Sequence, residues 1–88
     1  MRVKNMVGST GREVANQFII YDEGIATYFQ SYNSIIVKLA GGKVYMDRDK
    51  WDYSQTTGKY RNQFLRETKK ETESKIKSGE YILTDLNS

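Results

Sequence analysis

The chain has 88 residues with no Cys and no His, and its 14 basic and 11 acidic side chains give a net charge of +3 at pH 7. Its length favours a single domain, and its missing residue types exclude disulfides, thiolate nucleophiles, imidazole bases and the usual zinc sites. We therefore expect a binding protein with no catalytic residue, no metal and no cofactor.

The distribution of apolar residues predicts neither a membrane-spanning segment nor a signal peptide. No stretch approaches the ~18 to 20 consecutive apolar residues of a bilayer span, and the amino terminus lacks the apolar segment of a signal peptide. We expect a cytoplasmic protein with no membrane partner.

The first twelve residues are predicted to be a flexible lead-in. They are mostly polar, and Gly8 and Gly11 lie within four residues of each other. The single domain is then predicted to span residues 13–88.

The next third of the chain is predicted to form an antiparallel meander. Its segments are rich in β-branched and aromatic residues, with Asp22-Glu23-Gly24 and Gly41-Gly42 as turn signals. Two adjacent glycines favour a type I′ turn, because both central residues of that turn need positive φ. The predicted strands are residues 14–21, 25–32, 34–39 and 43–47.

The remainder is predicted to be helical, followed by a short strand. Ser54 is a plausible N-cap for a helix ending near Arg66, and Thr68 with Glu71 matches a capping box before a stop at Gly79. The pattern allows two helices or one helix with a joint near Thr68. Residues 80–86 alternate again and predict a final strand at the sheet.

These elements predict an α+β fold. It comprises an antiparallel meander of three to four strands, one or two helices packed on one face, and a short C-terminal strand. Tyr60 and Phe64, four residues apart, are predicted to turn inward onto the sheet. Trp51 and Tyr53, two residues apart, would either plug the end of the sheet or form an exposed aromatic platform.

The helical half concentrates positive charge. Residues 48–77 contain nine basic and five acidic side chains, a net charge of +4, whereas the rest of the chain sums to −1. In one continuous helix, Lys59, Arg66, Lys70 and Lys77 would form a basic stripe opposite the buried face. The alternative is a solvated helix face with ion pairs Glu67–Lys70, Glu71–Lys75 and Glu73–Lys77.

A small acidic cluster lies where the strands give way to the helices. Asp47, Asp49 and Asp52 could hold Mg²⁺, but the segment lacks the Gly and Glu positions of an EF-hand loop. Its interleaved Arg48 and Lys50 favour local ion pairing and capping instead.

Several segments of the chain carry a family resemblance, and WDYSQTTGKYRNQFL is the most specific of them. The segments are VANQFII, FQSYNSIIVKL, GGKVYMDRDKWDYSQTTGKYRNQFL, ETESKIKSGEY and DLN. Through them, most of the chain resembles a family of small bacteriophage and prophage proteins. The resemblance implies a short accessory protein acting in the cytoplasm of a host cell, and it implies no particular activity.

Three functions are compatible with this setting. In the first, nucleic acid is bound through its phosphates, with Trp51 and Tyr53 as stacking partners. In the second, the protein inhibits a host nuclease or CRISPR effector by docking through a sheet edge or the aromatics near Trp51. In the third, it is a virion structural or assembly protein. We expect a monomer or homodimer. The predicted phosphate contacts are Lys59, Arg61, Arg66, Lys70 and Lys77.

Overall fold

A computed structural model describes residues 1–88. Six strands form one sheet in the order of the sequence; the first five are antiparallel, and the sixth is parallel to the fifth. The predicted α+β class is confirmed, but the sheet has more strands than the three to four predicted for the meander. The elements are β1 (Arg2–Val7), β2 (Glu13–Asp22), β3 (Ala26–Ser31), β4 (Ser34–Ala40), β5 (Lys43–Asp47), α1 (Gln55–Leu65), α2 (Lys69–Ser78) and β6 (Tyr81–Thr84).

Strand β1 lies within the segment predicted to be a flexible lead-in. It pairs with β2 from Arg2 opposite Tyr21 onward, and an irregularity between Asn5 and Val7 leaves Met6 only 3% exposed. The two glycines of this segment belong to the connection between β1 and β2, where Gly11 donates its N–H to the carbonyl of Gly8. The polar composition of β1 obscures it in the sequence, since only Met6 is buried.

The turn predicted at Gly41-Gly42 is confirmed. The two residues have φ of 58° and 75° and connect β4 to β5 with Ala40 opposite Lys43. Glycine adopts these angles without the steric cost that a Cβ would add.

The helical half consists of two helices. Arg66 adopts the left-handed conformation and caps α1, so the chain changes direction before Thr68 begins α2. The predicted caps are confirmed: Ser54 caps α1, Thr68 and Glu71 form the capping box, and Gly79 ends α2. Neither helix has the length and apolar character needed to cross a membrane.

The helices also explain the direction of β6. A helical connection carries the chain back along the sheet, so the strand that follows runs parallel to the strand before it. β6 therefore pairs with β5 at the sheet edge, with Val44 opposite Tyr81.

The hydrophobic core lies between the helices and one face of the sheet. Phe29, Val37 and Met46 are fully buried there, and Tyr60 is 8% exposed. Phe64 packs against this cluster and stacks on Phe29 with ring centroids 5.7 Å apart. The inward placement predicted for both helical rings is therefore confirmed. The opposite side of the sheet, here called the open face, has no helix packed on it.

Candidate nucleic-acid interface

The predicted phosphate contact Arg61 is buried within the protein. Its side chain is 1% exposed, and Nη1 donates hydrogen bonds to the carbonyl of Trp51 (2.6 Å) and to Asp52 Oδ1 (3.1 Å). Nη2 donates to Asn62 Oδ1 at 2.9 Å. Through these hydrogen bonds Arg61 holds the segment before α1 against the helix, and its guanidinium is not accessible to a phosphate. The sequence interpretation of Arg61 as a surface contact is therefore corrected, because its polar partners lie inside the fold.

Asp52 is the carboxylate that balances this buried cation. It also accepts a hydrogen bond from Lys69 Nζ, at 2.7 Å, at the start of α2. Burial alone would raise the pKa of Asp52, but the hydrogen bonds and charges of Lys69 and Arg61 hold the pKa below its usual range. The same contact raises the pKa of Lys69. Asp52 thus connects the segment before α1 to the middle of α1 and to the start of α2.

A polar cleft of about 430 Å³ opens beside this ion pair. Three cationic side chains and one carboxylate line it, a net charge of +2, and no hydrophobic residue does. Such a lining attracts anions, although Asp52 already engages two of the cations. The lining residues are Asp52, Ser54, Gln55, Gly58, Lys59, Arg61, Asn62 and Lys69.

The two aromatic residues before α1 have different environments. Trp51 is half-buried against the core, and the guanidinium of Arg61 lies 5.1 Å from its ring centroid. Tyr53 is 44% exposed, with Lys50 Nζ 5.0 Å from its ring centroid. Trp51 therefore belongs to the end of the core, whereas Tyr53 is accessible beside a cation.

Four of the predicted phosphate contacts are exposed and form no salt bridge. We call Lys59, Arg66, Lys70 and Lys77 the free helical cations. Because the helical half is broken at Arg66, they do not continue along one helix. The structure instead gives two pairs with a spacing of seven residues, Lys59 with Arg66 at α1 and Lys70 with Lys77 on α2.

The ion pairs of the alternative interpretation do not form. Glu71 accepts hydrogen bonds from Thr68 in the capping box, and Glu67 pairs with Lys75 at 2.8 Å. Glu73 has no salt bridge. Lys70 and Lys77 are consequently left without carboxylate partners.

Glu67 lies at the centre of a second buried group. Its side chain is 4% exposed and accepts hydrogen bonds from Lys75 Nζ (2.8 Å), Tyr81 Oη (2.7 Å) and Thr72 Oγ1 (2.5 Å). Burial alone would raise the pKa of Glu67, but these three donors outweigh burial and lower the pKa. Burial and the hydrogen bond to Glu67 raise the pKa of Tyr81 to about 12.

The carboxylates of the predicted acidic cluster do not share a hydrogen-bond partner, and two of them have separate partners within the fold. Asp47 is buried and accepts hydrogen bonds from the backbone N–H of Leu86 (2.8 Å) and of Asp49 (3.2 Å), while Asp52 pairs with Arg61 and Lys69. Asp47 accepts the N–H of Asp49 two residues on, as local capping predicts, but the predicted pairing with Arg48 and Lys50 does not form, because Asp52 pairs with the more distant Arg61 and Lys69. No three carboxylates of the chain come together as metal ligands.

Two features were not predicted from the sequence: the contact of Lys69 with Asp52 in the cleft, and a group of aromatic residues on the open face. Lys69 lines the cleft, but its partner Asp52 lies 17 positions away, so local spacing does not reveal the contact. Tyr28, Lys38 and Tyr45 are neighbours on the open face. The alternation of side chains along each strand would have placed them on one side, had the register been known.

The comparisons with known proteins identify a family and no activity. No curated protein matches the chain by sequence, and no solved structure matches it. A family of unknown function (DUF8033) has a model that matches residues 1–80, which include β1 to β5 and both helices. The chain therefore belongs to the DUF8033 family.

Proposed function

We propose that the protein binds nucleic acid without catalysis, through phosphate contacts made by the free helical cations. The observation that carries this proposal is that the cations of the two helices, and of the connection between them, fall into two groups. Arg61, Lys69 and Lys75 are engaged by carboxylates, whereas Lys59, Arg66, Lys70 and Lys77 are exposed and unpaired.

The division matters because phosphate binding gains free energy by releasing counterions from the nucleic acid. A cation that is already hydrogen-bonded to a carboxylate must break that contact first, and a buried one must also be uncovered. The unpaired cations incur neither cost. In this proposal, exposed Tyr53 beside Lys50 adds a ring on which a base stacks.

The proposed setting is that of a phage-type accessory protein in the cytoplasm of a host cell. It rests on the resemblance of the segment WDYSQTTGKYRNQFL and its neighbours to bacteriophage and prophage proteins. In that setting, binding through phosphates would give affinity for many nucleic-acid sequences without reading bases.

The test is a titration of a fluorescently labelled duplex of arbitrary sequence, followed by anisotropy at several salt concentrations. Binding should weaken steeply with salt, and Lys59→Glu with Lys70→Glu should reduce the slope of log K against log salt by about 2, since each phosphate contact contributes about 0.9. The matched control is Lys4→Glu with Arg12→Glu, which makes the same change in net charge at exposed, unpaired positions of β1 and its turn.

The control decides whether the helices carry the interaction. An unchanged slope in the control variant, with a reduced slope in the helical variant, supports the proposal. Equal losses in both variants would show that only net charge matters. Absence of duplex and single-strand binding at low salt would overturn nucleic-acid binding altogether.

A second candidate function is inhibition of a host protein, and the free edge of β1 favours it. β1 pairs only with β2, so its alternate residues direct backbone groups to an edge where a partner strand could add. At the end of this edge, the carbonyl of Val7 already accepts a hydrogen bond from Gln63. A stoichiometric host protein recovered from nuclease-treated lysate, and lost when Val3→Pro interrupts the edge, would support this function. Recovery only while nucleic acid is intact would contradict it.

A further inference from the structure

The pairing register aligns one row of side chains across all six strands of the open face. Directly paired residues point to the same side of a sheet, so the row can be read from the register. This first row comprises Val3, Ile20, Tyr28, Lys38, Tyr45 and Ile82. A second row on the same face crosses only β1 to β4 and comprises Asn5, Phe18, Gln30 and Ile35.

Both rows lie outside the hydrophobic core. None of their apolar residues belongs to the core cluster or packs against it, because the helices cover the other face. Val3 is 61% exposed, and the other row residues are half-buried by their neighbours within the sheet. Six strands make the first row about 24 Å wide. A row of apolar and aromatic side chains that no other element covers is typical of an interaction site.

The positive charge of the open face favours an anionic ligand over a second copy of the chain. Lys38 lies in the middle of the first row between Tyr28 and Tyr45, with Nζ 5.8 Å from the Tyr45 ring centroid. Neither row contains a carboxylate. Asp22 and Asp47 lie on the same face beyond the rows, and Asp47 is buried and hydrogen-bonded to backbone N–H groups. Packing two open faces together would bury the Lys38 of each copy with no carboxylate directly beside it in its own chain, which is costly. An anionic ligand would instead be attracted to this lysine.

Single-stranded nucleic acid combines the two properties that this surface complements. Its unpaired bases offer flat faces for stacking on tyrosine rings, and its phosphates offer negative charge for a nearby lysine. The bases of a duplex are stacked on one another and present only their edges in the grooves. A duplex therefore cannot use a row of aromatic rings in this way.

We propose that the open face is a stacking platform for single-stranded nucleic acid, on which bases stack against Tyr28 and Tyr45 while Lys38 contacts the phosphate between them. The two rings are two strands apart, about 10 Å. This inference rests on the proposed nucleic-acid binding and adds to it a second surface and a preference for single strands. The helical cations supply affinity shared by both forms, and the open face supplies the difference.

The experiment compares a labelled single-stranded 15-mer with a duplex of the same length. The test variant is Tyr28→Ser with Tyr45→Ser, and Tyr28→Phe with Tyr45→Phe retains both rings as its control. Tyr32→Ser removes a 44% exposed tyrosine at the turn between β3 and β4 and serves as a control for loss of a surface ring. Thermal unfolding establishes that each variant is folded, and Lys38→Glu provides an independent variant if the double serine variant is not.

Wild type should prefer the single strand, and removing a stacking ring should weaken single-strand binding about 5- to 150-fold per base. Duplex affinity should stay unchanged in that variant, and the phenylalanine and Tyr32 controls should resemble wild type. Lys38→Glu should weaken single-strand binding more than duplex binding.

The failures of the two proposals are distinguishable. Single-strand affinity that is unaffected by the serine variant or by Lys38→Glu, or a wild type without single-strand preference, would overturn the platform while leaving duplex binding by the helices intact. Absence of binding to both forms would overturn both proposals. A homodimer that the serine variant converts to monomer would identify the open face as a self-association surface and overturn its assignment to nucleic acid.

Discussion

Gln17 on β2 is a fully buried side chain whose amide has no partner. It is 0% exposed, and neither Oε1 nor Nε2 makes a hydrogen bond. Ser31, opposite Gln17 in the sheet, is hydrogen-bonded to Thr57 through their hydroxyl groups at 2.8 Å. Leaving a buried polar group unpaired costs about 1 to 3 kcal/mol.

We therefore expect Gln17→Met to raise the free energy of unfolding by about 1 kcal/mol, because Met has a similar volume and no amide to desolvate. Chemical denaturation measures the change. The matched control is Gln30→Met on the adjacent strand, which should be neutral or destabilising because the Gln30 amide donates to the carbonyl of Tyr32 at 2.7 Å. Destabilisation by Gln17→Met would contradict the unpaired state of its amide.

Arg61 marks the limit of what the sequence predicts for a single residue. Its neighbours Lys59 and Arg66 are exposed as expected, whereas Arg61 lies about 200° from Lys59 around the helix, on the side of Tyr60, so the helical period argues against its assignment as a surface contact. Its burial depends on the carbonyl of Trp51 and the carboxylate of Asp52, which lie ten and nine positions away. Contacts of this kind follow from the path of the chain before α1, which residue spacing does not encode.

The ends of the helices were predictable because their signals are local. A capping residue and the N–H groups that it satisfies lie within one turn, so Ser54, Thr68 and Gly79 could be assigned from the sequence. β1 escaped prediction because its pairing with β2 and the burial of Met6 depend on the rest of the sheet. Helix ends can therefore be predicted from neighbouring residues, whereas an edge strand cannot, because its pairing depends on residues far along the chain.

The capping box of α2 gives a prediction at this scale. Thr68 Oγ1 accepts a hydrogen bond from the N–H of Glu71 at 3.2 Å. Thr68→Ala removes this acceptor and should lower the free energy of unfolding by about 1 kcal/mol. Thr68→Ser keeps the hydroxyl and should lose much less, as measured by denaturation of both variants. Equal losses would show that the methyl group, and not the cap, stabilises the helix.

At the scale of the whole molecule, the sheet has two apolar faces and only one is covered. Tyr28 and Phe29 are adjacent in β3, yet Phe29 is fully buried under the helices and Tyr28 lies on the open face. Alternation along a strand separates the two sides but does not state which side the helices will cover. That choice is made by the connection through α1 and α2, so the free helical cations could be predicted and the platform could not.

Glu67 links three parts of the molecule, since it lies between the helices and binds Thr72 and Lys75 of α2 and Tyr81 of β6. Its lowered pKa means that the folded state favours the carboxylate, so this contribution to stability is present above the unfolded pKa of about 4.5 and is lost as pH falls through the folded pKa.

Glu67→Gln should therefore lower the free energy of unfolding at pH 7 by about 1 to 3 kcal/mol, because an amide cannot accept all three hydrogen bonds as an anion does. It should also flatten the decline of stability between about pH 5 and pH 2. Denaturation of wild type and variant across this range measures both effects. Glu73→Gln is the control, since Glu73 is exposed and forms no salt bridge. If the wild-type and Glu67→Gln curves run parallel down to pH 2, the charge of Glu67 does not stabilise the junction of the helices with β6.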